Sequence, residues 1–305
     1  MNKILIISGA TASGKSGLAT RIADRTKPAK EAVIINADSM QIYSELSILS
    51  AQPNAEDLKQ HPHFLYSVLK HNQNSSLAIW LEMAKKAIDQ ALESEQLPIV
   101  VGGTGLYLSK LIDGISHIPE IDSDLKNQIR HLDKKELLEN LQALGENLTE
   151  IESLDQQRLA RRLEVLKQTG KNIVWWQNQP NQIFYPPENF VHLSIDLPRE
   201  ALYQNCNNRF GLMFKNGAPE EVERLLKLDV SDDSLITKTI GFDEISDYLA
   251  GKVDQKAAIE LASQKTRNYA KRQLTWFRNQ FKNKIVVGDG ADLDSVFEKI
   301  MSDGQ

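Results

Sequence analysis

Cys206 is the only cysteine among 305 residues, so the chain can build neither an internal disulfide framework nor a cysteine-rich zinc site, and it suits a reducing compartment. Glycine (16) and proline (10) together are less than a tenth of the sequence, which excludes collagen-like and low-complexity chains. No stretch is apolar for long enough to read as a membrane span. The apolar core from Ile4 to Ile7 follows a single lysine and is too short for a secretory signal. The expected location is therefore the cytosol, and no membrane partner is expected. The histidines, His61 and His63 included, show no metal-ligand spacing. What is present is ordinary globular usage, 41% hydrophobic and 25% charged. The length allows either one large domain or a core carrying a second module.

Acidic residues outnumber basic ones, for a net charge of −5, which taken alone argues against a nucleic-acid partner. The distribution argues the other way. From Leu261 to Gly288 there is no Asp or Glu, while Lys265, Arg267, Lys271, Arg272, Arg278, Lys282 and Lys284 give +7, leaving −12 on the rest of the chain. A polyanion responds to that local field, because charges farther away than about 10 Å are screened at cellular salt.

The run from Lys3 to Ser8 is apolar and β-branched and breaks at Gly9, and helical periodicity begins at Lys15 with Leu18, Ile22 and Ala23. The stretches from Ala32 to Asn36 and from Pro98 to Val101 repeat the strand signature, and a helix is predicted from Ser76 to Leu92 with Trp80, Ala84, Ile88 and Ala91 on one stripe. Apolar strands alternating with amphipathic helices predict an α/β fold: a parallel sheet core containing a phosphate loop and covered by helices. Ligands then sit at the C-terminal strand ends, where Gly9, Asp38 and Gly102 fall. From about Pro119 the pattern turns helical and charged, with helices predicted from Asp124 to Leu144 and from Leu154 to Thr169. Pro180, Pro186 and Pro187 mark the exit, and the stretch from Phe190 to Ile195 reads as a strand returning the chain to the core. After Pro198 everything reads as helix. The expected division is 1–118 as the first part of the core, 119–188 as an inserted helical module, and 189–305 as the remainder with C-terminal helices.

Gly9, Ala10, Thr11, Ala12, Ser13, Gly14, Lys15 and Ser16 fit G-x-x-x-x-G-K-[ST] between a strand and a helix, the context that motif needs. Backbone N–H groups curl round phosphate oxygens, Lys15 adds charge, and Ser16 can ligate a bridging Mg²⁺. Asp38, ending the second strand in Asn36-Ala-Asp-Ser-Met-Gln-Ile-Tyr43, can be read as a general base, a carboxylate near a metal, or a helix cap. The third loop, from Val101 to Tyr107 with Gly102, Gly103 and Gly105, allows close backbone approach and offers the Thr104 hydroxyl.

These three loops in this order resemble the tRNA dimethylallyltransferase (tRNA isopentenyltransferase) family. The likeness continues from Asp155 to Val165, in Ile240-Gly241-Phe242, and from Thr266 to Arg278. The resemblance implies transfer of a dimethylallyl group from dimethylallyl diphosphate to the exocyclic N6 of the adenosine beside the anticodon, with tRNA and that diphosphate as partners, Mg²⁺ as cofactor, and a monomer as the working form. By resemblance Lys15, Asp38 and Thr104 are catalytic, with Asp38 the base, and residues 9–16 bind a diphosphate leaving group. Asp38, Ser39, Met40, Gln41 and Thr104 would meet the extruded adenosine. The inserted module becomes a tRNA-binding one, through Lys126 and the segment Gln157, Arg158, Leu159, Ala160 and Arg161. In the C-terminal helix Arg267, Lys271, Arg272 and Arg278 are the expected phosphate contacts, while Tyr269 and Trp276 are expected to be core anchors.

Three places depart from the family pattern. Gln52 stands where a lysine is usual, Phe242 and Asp243 follow Ile240-Gly241 where a tyrosine and then a lysine or arginine are usual, and of two spaced arginines only Arg209 is kept, the other position being Asn205. A phosphate-loop kinase of a small metabolite, an isopentenyltransferase acting on free adenine nucleotides, and an RNA-binding protein with a decayed site are the competing readings.

Overall fold

The computed structural model describes residues 3–231, 234–288 and 297–298. Its larger unit, Met1–Ile112 with Tyr185–Gln305, is built on a parallel sheet, and Asp113–Phe184 forms a second compact unit. The first part of the larger unit runs β1 (Ile4–Gly9), α1 (Lys15–Thr26), β2 (Ala32–Asn36), α2 (Ala55–Gln60), β3 (His63–Phe64), α3 (Leu77–Glu93), β4 (Leu97–Gly102) and α4 (Gly105–Asp113). The second unit holds β5 (Ile115–Ser116), α5 (Ser123–Arg130), α6 (Lys134–Ala143), α7 (Leu148–Ile151), α8 (Gln156–Thr169), α9 (Ile173–Gln177) and β6 (Asn181–Gln182). The chain then returns through β7 (Phe190–Ile195), α10 (Arg199–Lys215), α11 (Ala218–Leu226), α12 (Phe242–Leu249), α13 (Gln255–Gln280) and β8 (Ile285–Val287).

The sheet order is β3-β2-β4-β1-β7-β8, every neighbouring pair parallel. β1, β2 and β4 are buried along their whole length, which is why their sequences are continuous apolar runs. From β1 the chain passes to one side of the sheet for β2 to β4 and later to the other for β7, so the crevice beyond the end of β1 is a topological switch point. The Trp80, Ala84, Ile88 and Ala91 stripe of α3 is buried.

Two expectations are corrected. The predicted helix from Asp124 to Leu144 is two helices, because Asp133 accepts from Glu136 N–H (2.8 Å) while its own N–H donates to the Glu136 carboxylate (2.8 Å); this capping box starts α6 afresh after Leu132. The region after Pro198 is not all helix, since β8 adds a sixth strand beside β7. Three residues are too few for periodicity to register.

The second unit has its own core, in which Ile129, Leu137, Leu141, Ile151, Leu159 and Leu163 are at most 1% exposed. Leu159 is fully enclosed there, so its side chain is a packing residue and not a tRNA contact. Leu159→Ala is expected to destabilise this unit by about 2–5 kcal/mol, measured by denaturant unfolding, whereas Arg158→Ala on the exposed side is expected to leave stability within about 0.5 kcal/mol.

Candidate active site

β2 ends at Asn36, and the fully buried Asn36 side chain builds the turn that follows. Its Oδ1 accepts from Asp38 N–H (2.8 Å), and its Nδ2 donates to the carbonyls of Asp38 and Leu65 (both 3.0 Å). Trp80 Nε1 donates to the Asn36 carbonyl at 2.8 Å, tying the turn to α3. Asp38 Oδ1 accepts from Met40 N–H (2.9 Å), while no donor from the described residues reaches Oδ2, which faces Gly103. One carboxylate oxygen is thus fixed and the other is available, the arrangement a proton acceptor needs. Thr104 stands alongside, its hydroxyl accepting from Ser39 N–H at 3.0 Å.

The phosphate loop lies at the neighbouring strand end. No side chain caps α1, and its first turn carries no acidic residue, so its N–H groups and dipole are left to an anion. Ser13 Oγ is buried without a partner, the only such side-chain atom among the described residues, and a buried orphan hydroxyl at this place fits a phosphate oxygen. Lys15 Nζ donates to the Ala10 carbonyl at 2.7 Å. Burial pushes Lys15 down from the usual lysine range to about 8, with Asp38 opposing the fall and Arg209 adding to it. Arg209, on α10, donates to Thr11 Oγ1 at 3.3 Å and is itself lowered, chiefly by burial, with Asp38 acting in the opposite direction.

A cavity of about 350 Å³ joins these parts, with Thr11, Asp38, Ser39, Met40, Arg209, Thr239, Tyr269 and Arg272 in its wall. A second cleft of about 800 Å³ reaches the phosphate loop at Ala12 and Gly14, and Arg209 and Met213 line both spaces. Tyr269, expected as a core anchor, therefore lines the cavity. Trp276, also expected as a core anchor, is half-buried: it packs on Gly105, where a Cβ would stand 2.2 Å from its ring, so a glycine is required there, and its other side lines a separate cleft with Lys271 and Arg272.

Other expected residues are placed differently. Gln41 spends its amide on the carbonyls of Ser50 (2.9 Å) and Ala51 (2.8 Å). Arg278 is held by two hydrogen bonds to Asp196 (3.0 and 2.8 Å) and Arg267 by Glu260 and Asn207 (3.0 and 2.5 Å). These two therefore have intramolecular partners, which basic spacing alone did not reveal. Lys271 and Arg272 are exposed and have no acidic partner among the described residues; Arg272 lies over the Tyr269 ring. On α8, Gln157 and Arg158 are exposed, and Ala160 and Arg161 half-buried; Arg161 pairs with Glu164 and Arg162 with Glu146. Lys126 is half-buried on α5. At the departures, Asn205 donates to the Ala12 carbonyl (3.2 Å), Gln52 to the Tyr43 carbonyl (2.6 Å), and Asp243 faces Lys265 (3.7 Å). Asn36 gained no role from sequence, because nothing local marks a buried amide, and Arg209 was marked only as the retained one of two spaced arginines, because spacing does not say which site a distant helix brings its guanidinium to.

Fold and site together define a phosphate-loop protein of the parallel α/β type, in which an anion site and a carboxylate open on two spaces that share Arg209 and Met213 in their walls. The family model described as IPP transferase matches residues 41–280, and that described as isopentenyl transferase matches residues 2–67. A tRNA dimethylallyltransferase of Pelagibacter ubique is 39% identical over 304 residues, covering 98% of this chain and 95% of the relative. One from Wolbachia pipientis is 37% identical over 302 residues, covering 97% and 98%. The solved full-length tRNA isopentenylpyrophosphate transferase of Bacillus halodurans superposes with a TM-score of 0.69 at 28% identity, covering 98% of this chain and 94% of that one. The chain belongs to the IPP transferase family.

Proposed function

We propose that this chain transfers a dimethylallyl group from dimethylallyl diphosphate to N6 of the adenosine next to the anticodon in tRNA, releasing diphosphate, and that it does so as a cytosolic monomer. The observation that carries the reading is Arg209, which lines both the cleft at the phosphate loop and the cavity at Asp38, so that donor and acceptor can meet from opposite sides. The loop N–H groups, Lys15 and Arg209 hold the diphosphate and stabilise the negative charge that builds as the allylic C–O bond breaks and its electron pair leaves with the diphosphate. The N6–C bond forms as Asp38 Oδ2 receives the N6 proton. Thr104 and Ser39 fix the loop on which Asp38 stands, and Met40 walls the space for the base, which must leave its stack to reach a carboxylate this far inside the protein.

Ser16 fits magnesium. Its residue is exposed on the first turn of α1, and no cluster of three or more His, Cys, Asp or Glu occurs among the described residues; the ion would therefore share Ser16 with diphosphate oxygens and water, as Mg²⁺ prefers. When bound, it would neutralise charge on the departing diphosphate.

Lys271 and Arg272, which have no acidic partner among the described residues, are the proposed phosphate contacts on the larger unit, and Lys126, Gln157, Arg158 and Arg161 those on the second. Replacing Lys271 and Arg272 with alanine is expected to weaken tRNA binding and to flatten its log–log salt dependence by about two counterions. An unchanged slope in a filter-binding titration would place those charges elsewhere. The activity itself is tested by supplying labelled dimethylallyl diphosphate with unmodified tRNA, with AMP as a parallel acceptor. Label in tRNA alone is the expected result, and label in AMP or in neither refutes the reading.

A further inference from the structure

The phosphate loop and the loop bearing Thr104 are joined by one side chain that neither motif contains. Gln273 lies on α13 and is only 6% exposed, on a face otherwise made by Ala270, Leu274 and Phe277. A glutamine in such a place is costly unless both ends of its amide are satisfied. Both are: Oε1 accepts from Thr11 N–H at 2.7 Å, and Nε2 donates to the Gly103 carbonyl at 2.8 Å. The partners are backbone groups of fixed polarity, so the amide can face only one way. A Cβ on Gly103 would stand 2.4 Å from Nε2, so the absence of a side chain there is what lets the bridge form.

The β1–β4 ladder pairs Ser8 with Gly102 at its end, and the loops beyond are not registered by it. The loop after β4 is tied to Asp38 through Thr104, which donates from its N–H to the Ala37 carbonyl (3.2 Å) and accepts from Ser39 N–H. We infer that Gln273 is a positioning residue that sets the separation between the diphosphate held by the phosphate loop and the acceptor held at Asp38 and Thr104. This rests on the prenyl-transfer reading above. In that reaction both substrates are bound on loops, and a displacement of about 1 Å costs up to about 10²-fold in rate.

The test compares Gln273→Met and Gln273→Glu with the wild type in the labelled transfer assay, using dimethylallyl diphosphate and tRNA. Methionine keeps the length and loses both hydrogen bonds; kcat is expected to fall about tenfold or more while both KM values stay within about threefold. Glutamate keeps the acceptor for Thr11 N–H but, when ionised, sets an oxygen against the Gly103 carbonyl. Once protonated it donates there again. Burial raises its pKa, so the ratio of Gln273→Glu to wild-type kcat is expected to climb as pH falls from about 8 to about 6, while the Gln273→Met ratio stays flat. A merely structural role would produce no such climb. Undiminished kcat in both variants, a loss confined to KM, or a glutamate ratio flat with pH overturns the assignment. Should the methionine variant fail to fold, the glutamate variant decides alone. Absence of transfer by the wild-type protein would instead refute the prenyl-transfer reading.

Discussion

Replacing Asp38 with alanine is expected to lower turnover by about 10²–10⁴-fold, the range a positioned general base supplies, with tRNA affinity changed by no more than a few-fold. The asymmetry follows from the way the carboxylate is held. Oδ1 is committed to Met40 N–H, so part of the loop's order depends on it, but the turn itself is built by Asn36 and survives the loss. Asp38→Asn separates the two roles, because its Oδ1 can still accept from Met40 N–H and the amide cannot take the N6 proton. Rapid-quench turnover alongside equilibrium tRNA binding makes the measurement, and an asparagine variant with normal turnover would remove Asp38 as the base.

The second large effect is expected at Lys15. Removing its charge with Lys15→Met should lower transfer by about 10²–10³-fold, as the loss of one preorganised charge aimed at a developing anion does. Lys15 also makes donor binding pH-dependent in the wild type. In the ligand-free protein its pKa lies at about 8 through burial, so it is charged below that pH and neutral above. Donor affinity is accordingly expected to be high near pH 7 and to fall by up to about tenfold per unit above pH 8, a dependence absent from Lys15→Met. Since Asp38 opposes the depression of Lys15, Asp38→Ala should move the fall in affinity to lower pH. Calorimetric titration of the donor at several pH values decides it, and a pH-independent affinity in the wild type would contradict the buried lysine.

The charge pattern was the least faithful part of the sequence. Seven basic residues after Leu261 look equivalent in one dimension, yet Asp196 comes from beyond β7 to pair with Arg278, and Glu260, seven residues earlier on α13 itself, pairs with Arg267. Glu244 does the same to Lys265. A helical stripe says which residues share a side, and says nothing about what another element brings to that side.

Short-range chemistry was legible from the residues alone. The phosphate loop, the buried strands flanking it, the return strand from Phe190 to Ile195 and the change of pattern near Pro119 all depend on neighbours within a few positions, where periodicity and glycine spacing carry the information. The capping box at Asp133 was of this kind too, and its D-x-x-E spelling was there to be read. Tertiary structure alone decided which distant groups meet: Arg209 reaching Thr11 across 198 positions, Gln273 spanning Thr11 and Gly103, and Tyr269 facing a cavity where a core was expected. A buried amide or guanidinium is defined by partners that arrive only when the sheet and helices have packed, and local spacing holds no record of them.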